Sequence, residues 1–423
     1  MQILQIASGD FFSTYGGGQV YVKNIVDEMI RQQYAVQVIS FVNRDCAIEG
    51  KKYKGINLYE VGTHGIEQLQ LLLEQIRPDI IHVHSHKAQL VELGKTLQIP
   101  VIVTAHHGGI VCPAGTLLDS HDRICSTTVS YKHCLACCLR NIRSGRYWYP
   151  FMRWLPQQSY KRLGVVLEKI PFIPFITPIG KTALSIERKQ AEWEKIVDGC
   201  IRMVAPSKAI AEAMQQNDLN EEKVTILPHG IPLPMSSPNF PPVIDGKIKF
   251  FYIGRICYVK GLHILLKAFS LLDNPRIELH LIGGSGNKGE RRYERRLKKR
   301  YASDTRIVWH GKIPAEQVFE VIKPFHISVS VPIYLEVFGL NMAESLAMGK
   351  PVLATRCGGA EMQIEEDVNG WLVDPNDVEA LARKMEDLSN HFTSYDSTLS
   401  TQRVISIESH CNSLIKLYEA VTH

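Results

Sequence analysis

The chain has 423 residues, of which 45% are hydrophobic and 22% charged, and its formal net charge is +5. These values are typical of a globular protein, and the length favours two domains because one hydrophobic core stops growing at about 250–300 residues. The charge is too small and too dispersed for a nucleic-acid-binding protein, so nucleic acid is not an expected partner. No stretch is long and apolar enough to cross a bilayer, and the chain enters a strand without a basic leader. We therefore expect a soluble, cytoplasmic protein.

The first half of the chain alternates predicted strands and helices. This alternation is typical of a parallel sheet with helices on both faces. The patterning predicts strands in MQILQIAS, AVQVISFV, DIIHVHS, PVIVTAH, RMVAPS and KVTILPHG, and helices in QVYVKNIVDEMIRQQ and IEQLQLLLEQIRP.

The second half repeats the alternation after a proline-rich segment, PLPMSSPNFPPV, which we interpret as a linker. The predicted fold class is α/β, with two Rossmann-like, doubly wound domains formed by residues 1–235 and 236–402. We expect the ligand in the cleft between these domains, beyond the carboxyl ends of the strands. The second half has predicted strands KIKFFYIGR, IELHLIGG, RIVWHGK, ISVSVP and KPVLAT, with helices HILLKAFSLL, EQVFEVIKP and VEALARKMEDL.

Three consecutive glycines follow the first predicted strand, in GDFFSTYGGGQVY. Gly16, Gly17 and Gly18 immediately precede a predicted helix, where bare backbone amides and the helix N-terminus favour an anion. A dinucleotide site is a weaker interpretation, because the glycines are consecutive and the second strand does not end in an acidic residue. A flexible loop without a ligand is the third alternative.

The segment KFFYIGRICYVKG places two cations between a predicted strand and the next helix. Arg255 and Lys260 would then lie at the mouth of the predicted cleft. Two cations there suit a diphosphate, since a planar guanidinium can bind two oxygens at once. The alternative is a pair of solvated side chains at a strand end.

The segment LEVFGLNMAESLAMGKPVLAT contains two acids, Glu336 and Glu344, separated by seven residues. Apolar spacing predicts a helix that begins near Phe338 and ends at Gly349, with Glu336 in the preceding loop. Eight helical positions span about 12 Å, more than the roughly 5–9.5 Å between the paired carboxyl groups of glycosidases. The two acids are therefore expected to bind different parts of one elongated ligand.

Backbone amides lie between these two acids. The amides of Phe338, Gly339 and Leu340 point out of the start of the predicted helix and form a second anion or hydroxyl site. Glu344 could accept both hydroxyls of a ribose, and Glu336 the hydroxyls of a second sugar. This order fits a nucleoside diphosphate that carries a sugar.

Together these motifs resemble those of the retaining family 4 glycosyltransferases, which have the GT-B fold. EVFGLNMAESLAMGKPVLATRCGGAEM is similar to their signature of two glutamates around an F-G-L segment. GRICYVKG resembles their G-R-x-K-G loop, STYGGGQ their N-terminal glycine loop, and GGAEMQIEEDVNGWLVDP their following segment. The resemblance extends to the last helix and implies that residues 403–423 pack back on the N-terminal domain.

The resemblance implies a role for each matching residue. Arg255 and Lys260 would neutralise the leaving diphosphate, and Gly17 would lie near the phosphates. Glu336 would orient the donor sugar, and Glu344 would hold the ribose. No metal and no cofactor is implied, because the nucleotide sugar is a substrate and the departing phosphate itself takes the acceptor proton.

Two departures from the family pattern concern histidines. The family's His-Asp pair appears here as TAHHGG, where His106 matches the histidine that contacts the donor sugar and His107 replaces the aspartate. His229 stands in ILPHG where the family has asparagine. A purely structural role is the alternative for His106.

The implied function is transfer of a sugar from a nucleotide-diphosphate sugar to a saccharide or lipid-linked acceptor, with the anomeric configuration retained. A nucleotide-sugar epimerase of the same architecture and a noncatalytic nucleotide-sugar-binding subunit are the alternatives. The base, the sugar, the acceptor and the linkage are not predicted.

Five of the ten cysteines lie between residues 112 and 138. Cys134 and Cys137 have C-x-x-C spacing, and Cys112 and Cys125 could complete a four-thiolate metal site. Reduced, packed thiols are the favoured interpretation, because the paired C-x-x-C of a zinc ribbon is absent from the sequence.

A basic and aromatic stretch, LRNIRSGRYWYPFMRWLPQQSYKRLG, lies in a segment without acidic residues. This composition is typical of a surface that meets anionic headgroups, so an anionic membrane is a candidate partner and the inner membrane face a candidate location. A helical flap that packs its aromatics inward is the equal alternative.

Overall fold

The computed structural model describes residues 1–7, 9–12, 16–140, 177–238, 240–392 and 394–422, and the single positions 154, 159, 162 and 166. Its contacts divide the chain into two units. The first unit comprises Met1–Phe11, Met29–Leu227 and Ile415–His423, and the second comprises Phe12–Glu28 and Pro228–Leu414. The observed division thus falls just before the proline-rich segment, and the domain boundary after residue 235 stays a prediction.

The first unit is built on an eight-stranded sheet with strand order β3-β4-β2-β1-β5-β6-β7-β8. All neighbouring strands are parallel except β3 and β4, which form an antiparallel hairpin at one edge. The strands are β1 (Gln2–Ile6), β2 (Ala35–Phe41), β3 (Ile48–Tyr53), β4 (Ile56–Val61), β5 (Ile80–Val83), β6 (Val101–Thr104), β7 (Arg202–Ala205) and β8 (Val224–Ile226).

The central strands of this sheet are short and apolar because helices cover both faces. Every residue of β5 and β6 is buried, as expected for parallel strands. The helices before the second sheet are α1 (Gly17–Arg31), α2 (Leu69–Ile76), α3 (Lys87–Leu97), α4 (Tyr131–Arg140), α5 (Thr177–Gly199) and α6 (Lys208–Gln215).

The second unit is built on a six-stranded, entirely parallel sheet with strand order β11-β10-β9-β12-β13-β14. The chain runs outward from β9 in one direction and from β12 in the other, so the strand order reverses between them. Such a reversal opens a crevice at the carboxyl ends of the two strands. The strands are β9 (Ile248–Ile253), β10 (Ile277–Ile282), β11 (Ile307–Gly311), β12 (Ile327–Ser330), β13 (Val352–Thr355) and β14 (Gly370–Val373).

Amphipathic helices close the core of the second unit. In α7, for example, the buried side chains pack against the sheet while Lys267 stays exposed. The helices are α7 (Leu262–Phe269), α8 (Lys288–Arg300), α9 (Val318–Ile322), α10 (Leu340–Ala347), α11 (Ala360–Gln363), α12 (Val378–His391), α13 (Ser397–Thr401) and α14 (Ile407–Thr422).

The last helix of the described chain, α14, contributes to both units. Cys411, in the part assigned to the second unit, directs its thiol to the Ile25 carbonyl at 3.7 Å. Tyr418, in the part assigned to the first unit, is fully buried and bonds side chains of β1 and β5. Tyr418 thus anchors Ile415–His423 within the first unit, whereas residues 403–414 belong to the second, and the packing of the whole segment 403–423 on the N-terminal domain stays a prediction.

The predicted fold class, two doubly wound α/β domains, is confirmed by the two parallel sheets. The basic aromatic stretch, residues 139–164, lies almost wholly outside the described residues. Among the described residues no helix is long and apolar enough to cross a membrane.

Candidate functional site

The turn between β9 and α7 carries the two predicted cations. A single 3₁₀ turn, Tyr258–Lys260, ends at Gly261, whose φ of 70° is left-handed. A Cβ at Gly261 would lie 1.8 Å from the Val331 carbonyl oxygen, so only glycine lets this turn pack against the end of β12. This close approach places Lys260 beside the loop that follows β12.

Lys260 forms an ion pair with Glu336 in that loop. The Tyr334 hydroxyl donates to the same carboxylate oxygen at 3.0 Å, and the Lys260 ammonium lies 5.7 Å from the Tyr334 ring centroid. Burial disfavours the charged ammonium, but the Glu336 carboxylate outweighs it and raises the pKa of Lys260 well above its ordinary value. Lys260 therefore stays cationic at any physiological pH.

The loop that carries Glu336 is held by the loop after β13. The Glu336 amide donates to the Cys357 carbonyl at 2.9 Å, and the Gly359 amide donates to the Glu336 carbonyl at 2.8 Å. The buried Gln363 side chain donates to the Phe338 carbonyl at 2.5 Å. These three hydrogen bonds hold the backbone of the loop from which the Glu336 side chain extends.

Helix α10 begins at Leu340, two residues later than the predicted start near Phe338. Gly339 precedes it with φ 83°, a left-handed conformation that delays the helix. The predicted end is closer, since the helix stops at Ala347 and Gly349 follows with φ 74°.

Glu344 lies one turn inside α10 and is partly buried. No hydrogen bond or ion pair involves its carboxyl group among the residues the structure describes. Desolvation alone raises the pKa of Glu344 from 4.5 to about 7. A carboxyl group held in this state gains hydrogen bonds when a ligand supplies donors such as a pair of hydroxyls.

The glycine loop reaches the same part of the second unit. Gly17 is the first residue of α1, and a Cβ there would lie 3.5 Å from Leu340 Cδ1. Phe338 packs edge-on against His229 with ring centroids 5.4 Å apart. His229 in turn lies 3.9 Å from the Tyr21 ring of α1. The structure thus brings Gly17, Phe338 and Leu340 together, and gives His229 a packing role that the sequence did not show.

Arg255 is the most exposed of the predicted cations. Its side chain is 58% exposed, and its Nε lies 3.8 Å from Glu290 Oε1 at the start of α8. The Glu290 carboxylate also accepts from the Gly286 amide at 2.7 Å. Arg255 is therefore largely exposed, and its contact with Glu290 is a long one.

His106 lies in the first unit, directly after β6. Its Nε2 is 2.8 Å from His84 Nδ1, and the ring is partly buried. The neighbouring His107 is exposed, yet desolvation with nearby Lys87 and Lys189 lowers the pKa of His107 to about 4. At neutral pH His107 is uncharged, so it does not replace the charge of the aspartate expected there.

Burial favours the neutral thiol at two cysteines of the first unit, Cys134 and Cys138. Desolvation, with neighbouring thiols, raises the pKa of Cys134 to about 12 and that of Cys138 to about 12. Within the described ranges, no three histidine, cysteine or acidic side chains are placed to hold a metal ion.

The sequence analysis did not identify the residues that hydrogen-bond the predicted site residues. Tyr334 bonds Glu336, and Gln363 bonds the Phe338 carbonyl. Gln363 lies in a segment that the sequence had singled out and Tyr334 directly precedes one, but neither has a spacing or a charge that marks it. His84 bonds His106, and nothing in the strand pattern of DIIHVHS marks it for that contact.

Comparison with known proteins agrees with this geometry. Residues 238–395 match the family described as Glycosyl transferases group 1, and residues 15–138 match Glycosyltransferase Family 4. The Anabaena protein Alr3699/HepE, solved with UDP and glucose, superposes with a TM-score of 0.65 at 15% identity, covering 99% of this chain and 100% of that one. The chain is a GT-B glycosyltransferase of the family 4 type.

Other relatives of this glycosyltransferase are similarly distant. A D-inositol 3-phosphate glycosyltransferase of Arthrobacter sp. is 30% identical over 44% of this chain and 47% of its own length. The matched part thus spans about half the length of such curated relatives. The sucrose-phosphate synthase of Thermosynechococcus elongatus superposes with a TM-score of 0.69 at 16% identity, covering 100% of this chain and 99% of that one. At that identity the likeness concerns the fold.

Proposed function

We propose that this glycosyltransferase moves a sugar from a nucleotide-diphosphate sugar to a saccharide or lipid-linked acceptor, with retention of the anomeric configuration. The product would belong to a surface polysaccharide or another glycoconjugate. The observation that carries the proposal is the Lys260–Glu336 ion pair in the loops that follow β9 and β12. Glu344 lies nearby in sequence, one turn into α10, and its carboxyl group bonds no other described side chain.

The cations and the helix start would stabilise the leaving group. Departure of a nucleoside diphosphate builds negative charge on phosphate oxygens, and preorganised donors lower the barrier when they point at that charge. Lys260, which stays charged, and the exposed guanidinium of Arg255 would provide two such donors. The amides of Gly339 and Leu340 provide more at the start of α10.

The two acids would bind the two ends of the donor. Glu344 would accept the ribose hydroxyls, which return hydrogen bonds to a carboxylate that burial has deprived of water. Glu336 would accept from hydroxyls of the transferred sugar. Its ion pair with Lys260 fixes the carboxylate before the donor arrives, so little reorganisation is needed.

The chain need not supply a nucleophile for this reaction. In the proposed mechanism the departing phosphate oxygen takes the proton of the acceptor hydroxyl on the same face of the sugar. His106 would contact the donor sugar near the reacting carbon. The step requires no metal ion and no cofactor in this scheme.

The relatives support a nucleotide-sugar donor. Solved neighbours contain UDP with glucose or UDP-glucose, and another is a lipopolysaccharide outer core galactosyltransferase. A curated relative is an O-antigen chain mannosyltransferase of Escherichia coli. These names favour a surface saccharide as acceptor without choosing the donor base.

A donor screen with active-site variants tests this function. Purified protein is incubated with UDP, GDP and ADP sugars and candidate acceptors, and the anomeric configuration of the product is read by NMR. We expect Lys260→Ala and Glu336→Ala to lower turnover by about 10²–10³-fold. Lys267→Ala and Glu320→Ala, which change exposed residues of the same unit, serve as matched controls.

Four outcomes would contradict the proposal. An inverted product would exclude the retaining mechanism. Conversion of the donor without an acceptor would favour an epimerase, and binding without turnover a noncatalytic subunit. Normal turnover in both alanine variants would show that the two residues have other roles.

We also propose a peripheral position on the inner face of a membrane. The support is compositional: residues 123–167 contain no aspartate or glutamate, and the stretch within them is rich in arginine and aromatic residues. Flotation with anionic liposomes at low salt tests it, and protein that stays in the unbound fraction would contradict it.

A further inference from the structure

A buried polar network lies behind His106 in the first unit. It joins Gln5 of β1, His82 of β5, His84 just after β5, and Tyr418 of α14. All four side chains are at most 2% exposed. Such a network is costly unless its donors and acceptors match throughout.

The bonds run as one chain from end to end. His82 Nε2 lies 2.7 Å from Thr104 Oγ1 and its Nδ1 2.5 Å from the Tyr418 hydroxyl. The Tyr418 hydroxyl lies 3.1 Å from Gln5 Nε2. Gln5 Oε1 lies 3.0 Å from His84 Nε2, and His84 Nδ1 lies 2.8 Å from His106 Nε2.

Because a neutral imidazole has one donor and one acceptor nitrogen, all these protons point the same way along the chain. The Gln5 amide decides which way, since its oxygen can only accept and its nitrogen can only donate. The Met29 sulfur lies 3.7 Å from Gln5 Nε2. A thioether has no proton to give, so the amide nitrogen belongs on that side and the oxygen faces His84.

The rest follows from this orientation. Gln5 Oε1 accepts from His84 Nε2, which leaves the lone pair of His84 on Nδ1. That lone pair accepts from His106 Nε2. The neutral His106 ring therefore carries its proton on Nε2 and its lone pair on Nδ1.

We propose that His84, oriented by Gln5, is a positioning residue that fixes the tautomer and ring orientation of His106. The lone pair of His106 then lies on Nδ1, which sets the hydrogen bonds that this ring can accept. This inference rests on the proposed function for its catalytic consequence, but the tautomer itself does not depend on any reaction. Tyr418 accepts from Gln5 Nε2 and so links this chain of hydrogen bonds to helix α14.

The tautomer can be measured without a substrate. Two-bond ¹H–¹⁵N correlation spectra of protein labelled with ¹⁵N-histidine distinguish the two neutral tautomers, and the His106 signal is assigned by its loss in His106→Asn. We expect the Nε2–H form in the wild type. The Nδ1–H form would overturn the proposal at once.

Variants of His84 then test its role. His84→Phe keeps a ring but removes the acceptor, so His106 should populate both tautomers and kcat should fall about tenfold with a smaller change in KM. His84→Asn is the matched control, because its Oδ1 takes the place of Nδ1 and should keep the Nε2–H form and most of the activity. An unchanged tautomer and kcat in His84→Phe would contradict the proposal.

Gln5→Met gives a second variant should His84→Phe fail to fold. It keeps the shape of the buried side chain and removes the oxygen that orients His84, so the same shift in the His106 signal is expected. The absence of that shift would contradict the proposal. If the wild type transfers no sugar while the tautomers behave as stated, the proposed function fails and the positioning role of His84 stands.

Discussion

In its charged form the partly buried Glu344 carboxyl group lowers the stability of the folded protein. Desolvation raises the pKa of Glu344 to about 7, and no described side chain compensates it with a bond. Its raised pKa means that the folded state holds the proton more tightly than the unfolded chain does. The charged form therefore lowers the free energy of unfolding of the ligand-free protein. Hydrogen-bond donors from a bound ligand would offset this loss.

This loss predicts a pH-dependent stability difference. Stability from the protonated form is complete below about pH 4.5 and is lost as the pH rises through about 7. Glu344→Gln should therefore match the wild type near pH 4.5 and exceed it by about 1–3 kcal/mol above pH 8. Urea unfolding at several pH values measures this difference. Glu379→Gln, at an exposed position, is the control, and a difference that does not change with pH would contradict the explanation.

Charge and glycine drew attention to Lys260, Glu336 and Gly339 in the sequence, and the structure pairs Lys260 with Glu336 and gives Gly339 a left-handed conformation. The roles of these residues toward a ligand stay predictions. Tyr334 and His84 could not be found in this way, since a tyrosine and a histidine occur in any packed sheet. Tyr334 bonds Glu336, two residues further on, and His84 bonds His106, which is 22 residues away.

At the scale of elements, the turn from β9 into α7 is the segment on which the site depends most. It must approach the end of β12 closely enough for Lys260 to reach Glu336. Gly261 makes the approach possible because it has no Cβ and takes a positive φ.

Two glycine variants separate these requirements. Gly311 also has a positive φ, but nothing lies within 4 Å of a Cβ built there. Gly311→Ala should therefore cost only the backbone conformation, about 1–2 kcal/mol. Gly261→Ala adds a clash with the Val331 carbonyl and should cost about 2–5 kcal/mol, measured by urea unfolding. Equal losses in the two variants would show that the contact with β12 does not matter.

Periodicity predicted the elements that are long or uniformly apolar, such as β9 and α12. It missed the β3–β4 hairpin, because four of the six residues of β3 are exposed and carry no alternation. It also missed α3, which is buried at only three positions, Leu90, Val91 and Gly94. Strand β3 is stabilised by its pairing with β4, and α3 by packing mainly against α5, so tertiary contacts rather than local patterning stabilise both elements.

At the scale of the whole molecule, the chain passes between the two units at residues 11–12, 28–29, 227–228 and 414–415. Helix α14 is the last of these passages, and its final turns are tied to the first unit by the Tyr418 hydroxyl. This hydroxyl hydrogen-bonds Gln5 of β1 and His82 of β5, two central strands of the sheet.

Tyr418→Phe removes this hydroxyl while keeping the buried ring. Gln5 and His82 each lose a partner in an environment that water cannot enter, which should cost about 1–3 kcal/mol. Tyr34→Phe, at a partly exposed ring, should change stability by less than about 0.5 kcal/mol. Thermal and urea unfolding measure both, and equal stability of the two variants would contradict the anchoring role of Tyr418.

The β3–β4 hairpin determines which strand lies at one edge of the first sheet, where a second molecule could add a strand. Without β3, the sheet of the first unit would end in β4, whose Leu58 and Val61 are buried and whose backbone would offer unpaired amides to any extended chain. Strand β3 covers that border and presents Glu49, Lys51 and Lys52 to solvent instead. A strand from a second molecule would have to desolvate those charges to add on. We therefore expect the charged strand β3 to disfavour edge-to-edge association of one molecule with another.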